Sequence, residues 1–359
     1  MRGFQSQTRP LAIMALIFMS IPATVMISNS FCIQGDDASR YALGATSPAK
    51  ELHDPYKLAK EQSFGFFDDI HENTWKRIQQ IYIDHENHRV PGKPLVFHPH
   101  AEAHETLPLN YKYRHKKGYA SYVAWYQNNY EPNFSCQMEK RVGIPMNGDG
   151  PKWVCDPHRI ARLAQERQAK DPSHPGCVVY SIGSFGDFTF ELGLQKEVGE
   201  GVCEFHIFDP GDYGGRIPRQ LQRAHYHRWG LMEQGGRAPI GQAKPGDSNE
   251  YFGLSDIIQK LGHEQLDVID IFKIDCEMCE WQTFHDWLAD DVPMLHQILV
   301  EVHKAPKNAV DFFDSLEADG YMRFHKEPNI QWDPSNLEYA FIKLDKSFVE
   351  NKQQLAKAG

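Results

Sequence analysis

The sequence predicts an α/β protein: one seven-stranded, mostly parallel sheet of the doubly wound type, with an antiparallel strand near the C-terminus. Three observations predict it. Beyond Pro175, short β-rich runs alternate with helical stretches, the rhythm of β-α-β units. Glycine and aspartate collect where those runs end, at Gly183, Gly186, Asp209 and Asp275. The last two runs lie too close together for a full crossover helix, which makes an antiparallel pair.

The chain divides into five stretches. Residues 1–30 hold the uncharged run Leu11–Ser28, preceded by Arg2 and Arg9. Its length is at the lower limit for crossing a bilayer. It reads either as an uncleaved type II signal-anchor or as a cleaved signal peptide. Both place the rest of the chain on the exoplasmic side, in the secretory pathway. Residues 31–60, with Gly35, Asp36, Asp37, Gly44 and Pro48, read as a flexible stem. Residues 61–152 form a helical and irregular extension. Phe64, Phe67, Ile70, Trp75, Ile78 and Ile81 recur there at three- and four-residue spacing, which predicts a helix over 61–88. In residues 153–346, Asp156-Pro157 starts a helix that Asp171-Pro172 stops. The seven strands of that stretch are placed at 177–182, 204–208, 226–231, 268–274, 297–302, 321–325 and 339–344. Residues 347–359 form a polar tail.

The formal net charge of −10 argues against a nucleic-acid partner, which calls for a basic face. Seven cysteines need a compartment-aware reading. Cys136 and Cys155 flank a Gly/Pro-rich loop and are either bridged in an oxidising lumen or two free thiols. Cys276-x-x-Cys279 reads more readily as small buried hydrophobes than as a redox pair. Asn133-Phe134-Ser135 is a glycosylation tripeptide.

Ligands of open α/β sheets bind outside the carboxyl ends of the strands. The first strand ends in Gly183-Ser184-Phe185-Gly186-Asp187, with Glu191 on the helix that follows. Asp209 ends the second strand, placed to accept hydrogen bonds from two ribose hydroxyls. Bulky Phe185 and Phe188 stand where a pyrophosphate cradle needs glycine. A cofactor with a ribose and no phosphate therefore fits, and S-adenosylmethionine is the common one. Asp275, Glu277, Glu301 and His303 end the fourth and fifth strands. Asp275 and His303 are candidate bases for a hydroxyl acceptor, with a structural hydrogen-bonding role as the other reading of His303; Glu301 either fixes the tautomer of His303 or caps a turn. A divalent metal on Asp275, Glu277 and His303 has fewer ligands than oxygen-rich sites normally need. His98, His100 and His104 read as a solvated loop.

The stretches Val179–Glu191, Ile271–Trp281, Leu299–His303 and Phe324–Ile330 with Glu338–Leu344 resemble the methyltransferase-like proteins related to the FkbM-type enzymes, nearest to the methyltransferase-like protein 24 group. The resemblance covers roughly Trp153 to Leu344. It implies a Rossmann-like class I methyltransferase fold, S-adenosylmethionine as donor and a secretory location, and it supplies no acceptor: small molecule, glycan and protein all stand. Ser181 replaces the acidic residue that many class I methyltransferases carry early in the glycine motif, and Glu277-Met278-Cys279 lacks that fold's usual glycine. A degenerate methyltransferase fold serving as a scaffold is the alternative. A nucleotide-sugar glycosyltransferase is the other, with Asp275-x-Glu277 as its nearest metal motif.

Overall fold

The computed structural model describes residues 53–87, 123, 125–126, 129–143, 150–236, 246–248, 250–304, 308–329 and 333–349. The hydrophobic run at 11–28, the stem to residue 52 and the histidines at 98–104 lie outside the described residues. No helix among the described residues is long and apolar enough to cross a membrane.

Seven strands form one sheet: β3 (Cys177–Ile182), β4 (Cys203–Phe208), β5 (Ala224–His227), β8 (Val268–Ile274), β9 (Met294–His303), β10 (Tyr321–Pro328) and β11 (Asn336–Lys343). Their order is β10-β11-β9-β8-β3-β4-β5. Every pairing is parallel except those of β11, which runs antiparallel to both β9 and β10. This is the expected α/β architecture, a Rossmann-like methyltransferase sheet. Every residue of β3 and β8 is buried, as central parallel strands covered on both faces require.

Alternate residues of these strands feed two cores. Cys177 and Val179 face α3 (Pro157–Lys170), α4 (Thr189–Val198) and the segment holding α1 (Lys57–Gln62) and α2 (Glu72–Asn87). Val178, Tyr180 and Ile182 face α5 (Leu254–Leu261) and α7 (Ala309–Ala318). A short turn of helix, α6 (Glu280–Thr283), follows β8.

Several local expectations are corrected. The helix expected over 61–88 is two helices, broken where Phe64 and Gly65 turn left-handed. Phe64 and Ile81, expected on the apolar face, are exposed, and Phe66, Tyr82 and Ile83 are buried instead. Asp156 stands at the expected cap of α3 but makes no capping bond. Its carboxylate accepts from the Met138 amide (2.7 Å) and from Arg159 Nε (2.9 Å). The strand expected at 226–231 divides into β5 and β6 (Gly230–Leu231), which pairs with β7 (Tyr251–Phe252) in a separate ribbon. Lys140–Val142 (β1) and Lys152–Val154 (β2) make an antiparallel hairpin that the sequence did not suggest. Phe348, in the expected polar tail, packs on Trp75 and Tyr82.

Three disulfides form: Cys136–Cys155, Cys177–Cys203 and Cys276–Cys279. The second follows from register, because Cys177 and Cys203 face each other at the starts of β3 and β4. The third corrects the reading of Cys276 and Cys279 as unbonded buried residues. Asn133 is buried, its Oδ1 accepting from the Arg323 amide at 2.9 Å. The fold therefore closes the glycosylation tripeptide to glycan attachment.

Candidate active site

The chain reverses its strand order between β3 and β8, and the crevice at such a switch point is where open α/β sheets bind ligands. Two strand ends meet there. Gly183, at φ +76°, lies so close to the end of β8 that a Cβ on it would sit 1.7 Å from the Asp275 carbonyl oxygen. Only glycine fits. Lys273 pins the same corner, its Nζ donating to the carbonyls of Gly183 (2.8 Å) and Ile182 (3.3 Å).

On the β3–β4 side, Asp209 ends β4 beside the glycine loop. Its Oδ2 accepts from the Phe185 amide (2.7 Å) and its Oδ1 from the Gly211 amide (2.8 Å). A carboxylate has about four acceptor sites, so two such bonds leave capacity for a diol. Ser184 is buried, and its Oγ accepts from the Gly186 amide at 3.3 Å. Asp187 is exposed and accepts from the Thr189 amide (2.8 Å), helping to start α4. Glu191 is buried on α4. Its Oε1 accepts from Ser181 Oγ, and its Oε2 is buried with no hydrogen-bond partner among the described residues. The acid missing at position 181 is thus supplied by the neighbouring helix. Burial pushes the Glu191 carboxyl up, with Lys273 pulling the other way.

On the β8–β9 side, His303 Nε2 lies 3.8 Å from Asp275 Oδ1 and 3.6 Å from Glu277 Oε2. Its orienting partner is Glu280, not Glu301. Glu280 Oε1 lies 3.0 Å from His303 Nδ1 and accepts from the His303 amide at 2.8 Å. Asp275 and His303 are together as expected, and the expectation that Glu301 fixes the histidine tautomer is corrected. Glu280 directly follows the Cys276–Cys279 bridge and opens α6. Between the cysteines, Glu277 and Met278 both take positive φ (56° and 88°), where the usual glycine is missing.

Glu301 belongs to a second group centred on Lys152, a residue sequence reasoning missed. The Lys152 side chain is 1% exposed and its Nζ lies 2.5 Å from Glu338, 3.6 Å from Asp275 and 4.0 Å from Glu301. Asn329 Nδ2 donates to Glu301 Oε1 at 3.0 Å. Burial, Asp275 and Glu338 push the Glu301 carboxyl up to about 8, against the pull of Lys152. Burial also opposes ionisation of Asp275, but Lys152, Lys273 and His303 outweigh it and hold its carboxyl below the usual range. For His303, burial favours the neutral ring. Its bond to Glu280 and the charges of Glu280, Asp275 and Glu301 prevail, raising it to about 10. Asp275, Glu301 and His303 also present ligand atoms close enough together to hold a metal. Lys152 already supplies a cation to two of those three.

The raised carboxyl gives a test. Its folded value stands above the ordinary 4.5, so its contribution to stability is complete below pH 4.5 and is lost as pH climbs to about 8. Glu301→Gln keeps an acceptor for Asn329 and removes that loss. We expect the variant to match the wild type at pH 4.5 and to exceed it at pH 8 by at least about 1 kcal/mol. Urea unfolding at the two pH values measures the difference.

The sequence profile of a family described as a methyltransferase domain matches residues 57–343. The chain belongs to this methyltransferase family. The match takes in α1 and α2 as well as the sheet, in keeping with their shared core. No curated protein matches the chain. The crevice carries carboxylates at Asp209 and Asp275, with Glu191 buried on α4, while Lys273 is spent on backbone carbonyls and Lys152 on carboxylates. Such a set fits a cationic ligand with a ribose and does not fit a pyrophosphate.

Proposed function

We propose that this methyltransferase uses S-adenosylmethionine and methylates an oxygen of a lumenal or extracellular acceptor, within the methyltransferase-like protein 24 and FkbM-type relatives. The observation that carries the reading is the abutment of Gly183 and Asp275. It joins the glycine loop with its two acidic residues to the His303–Glu280 pair in one crevice. When bound, the donor supplies an electrophilic methyl on a cationic sulfur. Asp209 would accept from the ribose hydroxyls, and Glu191, whose Oε2 has no partner among the described residues, would accept from the donor's ammonium.

Glu280 holds Nδ1 of His303, leaving Nε2 to take the proton of the acceptor hydroxyl. A cationic ligand at this edge favours the neutral imidazole, since like charge lowers the pKa of a base. Glycan, small-molecule and protein acceptors all offer the hydroxyl. The three disulfides support a secretory location, with the hydrophobic run at 11–28 as type II anchor or signal.

Calorimetry of the donor against the purified protein tests the reading. Asp209→Asn and Glu191→Gln are each expected to weaken binding about 10- to 100-fold, the worth of one hydrogen bond to a charged group. Folded protein that takes up no donor would overturn the proposal and favour the scaffold reading.

A further inference from the structure

A second polar cluster lies along the β4–β5 edge of the sheet. Parallel register puts His206 of β4 beside His225 of β5, and Phe208 beside His227. The His206 ring stacks on His225 (centroids 5.1 Å) and on His227 (5.3 Å), and meets His263 edge-on at 4.7 Å. His263 follows Gly262, which ends α5, and precedes β8. Glu204 is the second residue of β4. Both therefore stand at the N-terminal edge of the parallel strands, opposite the crevice.

We propose that Glu204, His206 and His263 form a zinc site that fastens the β4–β5 edge of the sheet to the turn between α5 and β8. Their ligand atoms all lie within 4.8 Å of one another. His206 Nε2 is 3.1 Å from Glu204 Oε1, and the remaining atoms are held as metal ligands usually are. His206 Nδ1 is 3.1 Å from His227 Nε2, and His263 Nδ1 is 2.8 Å from the Tyr180 hydroxyl. In the metal-bound tautomers each Nδ1–H donates to that partner and Nε2 faces the ion. The other oxygen of Glu204 accepts from Arg223 Nη2 at 2.8 Å. His225 Nε2, 3.4 Å from Glu204 Oε1, stands nearest to a fourth position.

Two imidazoles and one carboxylate suit zinc, which asks for four nitrogen, oxygen or sulfur ligands and no redox chemistry. Ferrous iron takes the same set where open positions face a substrate. Here a third imidazole, His225 of the edge strand β5, stands beside the position that would otherwise be open.

The test uses the full chain in detergent, stripped by a chelator and titrated with Zn²⁺ against a chromophoric competitor. One equivalent is expected to bind and to raise the melting temperature. Glu204→Gln and His263→Gln should each weaken binding about a hundredfold or more, and His227→Phe about 10- to 100-fold. Asp275→Asn, in the other acidic group, should leave it unchanged. X-ray absorption of the zinc-loaded wild type is expected to show imidazole and carboxylate ligands without sulfur, a readout that needs no variant to fold. Absence of zinc uptake overturns the proposal. So does uptake that survives Glu204→Gln and His263→Gln, uptake that Asp275→Asn abolishes, or a spectrum without imidazole.

Discussion

Lys152→Met is expected to destabilise the folded chain by about 3–5 kcal/mol at pH 7, the cost of breaking a buried ion pair from one side. The lysine is 1% exposed, and its nearest partners are the carboxyls of Glu338, Asp275 and Glu301. Methionine matches its length and carries no charge, so the loss isolates the charge rather than a cavity. Without the ammonium, buried Glu338 and half-buried Asp275 lose their shared cation and regain protons more readily. The deficit should therefore narrow as pH falls from 7 to 5, because the folded variant takes up protons that the wild type does not. Urea unfolding at both pH values measures it. A loss under about 1 kcal/mol, unchanged by pH, would mean that water reaches the group and that the ions are effectively solvated.

The fold was legible where periodicity is set by burial on both faces. The strands at 177–182 and 268–274 coincide with the observed ones because fully buried parallel strands read as uninterrupted apolar runs. The antiparallel strand was legible from loop length alone. What failed depends on contacts across the chain. Nothing local shows that Phe64 turns outward while Phe66 packs under α3, or that the strand expected at 226–231 leaves the sheet after His227. The Cys177–Cys203 bridge needed the β3–β4 register, which the sequence does not state.

The site divides in the same way. That Gly183, Asp209, Asp275 and His303 stand at one sheet edge was legible because strand ends converge in any parallel sheet. Lys152 was missed because it sits in a three-residue strand of a hairpin with no apolar signature, where a lysine reads as solvated. Glu280 was overlooked in favour of Glu301, two residues before His303. Neighbours two apart on a strand share a face but point away in parallel, whereas Glu280 reaches His303 from the turn after β8. The signal that was present is the Cys276-x-x-Cys279 spacing, whose bridge in the structure fixes the turn from which Glu280 begins its helix.

Glu280→Gln is expected to lower turnover about 10²- to 10⁴-fold with donor binding intact, the range for loss of positioned acid–base help. Glutamine keeps an oxygen for the His303 amide and for Nδ1, so the ring stays in place, and what goes is the charge that stabilises the imidazolium. The hydrogen bond to Glu280, and next its charge, hold His303 up to about 10 against burial. A nuclear magnetic resonance titration of the imidazole reads it directly: the value should fall by about one to three units in the variant. The two readouts separate roles. A merely structural Glu280 would disturb the fold and the donor affinity together, leaving no histidine signal displaced in a folded protein. A general base paired with it predicts that wild-type turnover climbs with pH as His303 gives up its proton. In Glu280→Gln that climb should begin at lower pH and reach a lower plateau. If turnover instead stays flat across the range in which His303 titrates, the proton of the acceptor leaves by another route, and Asp275 becomes the residue to test.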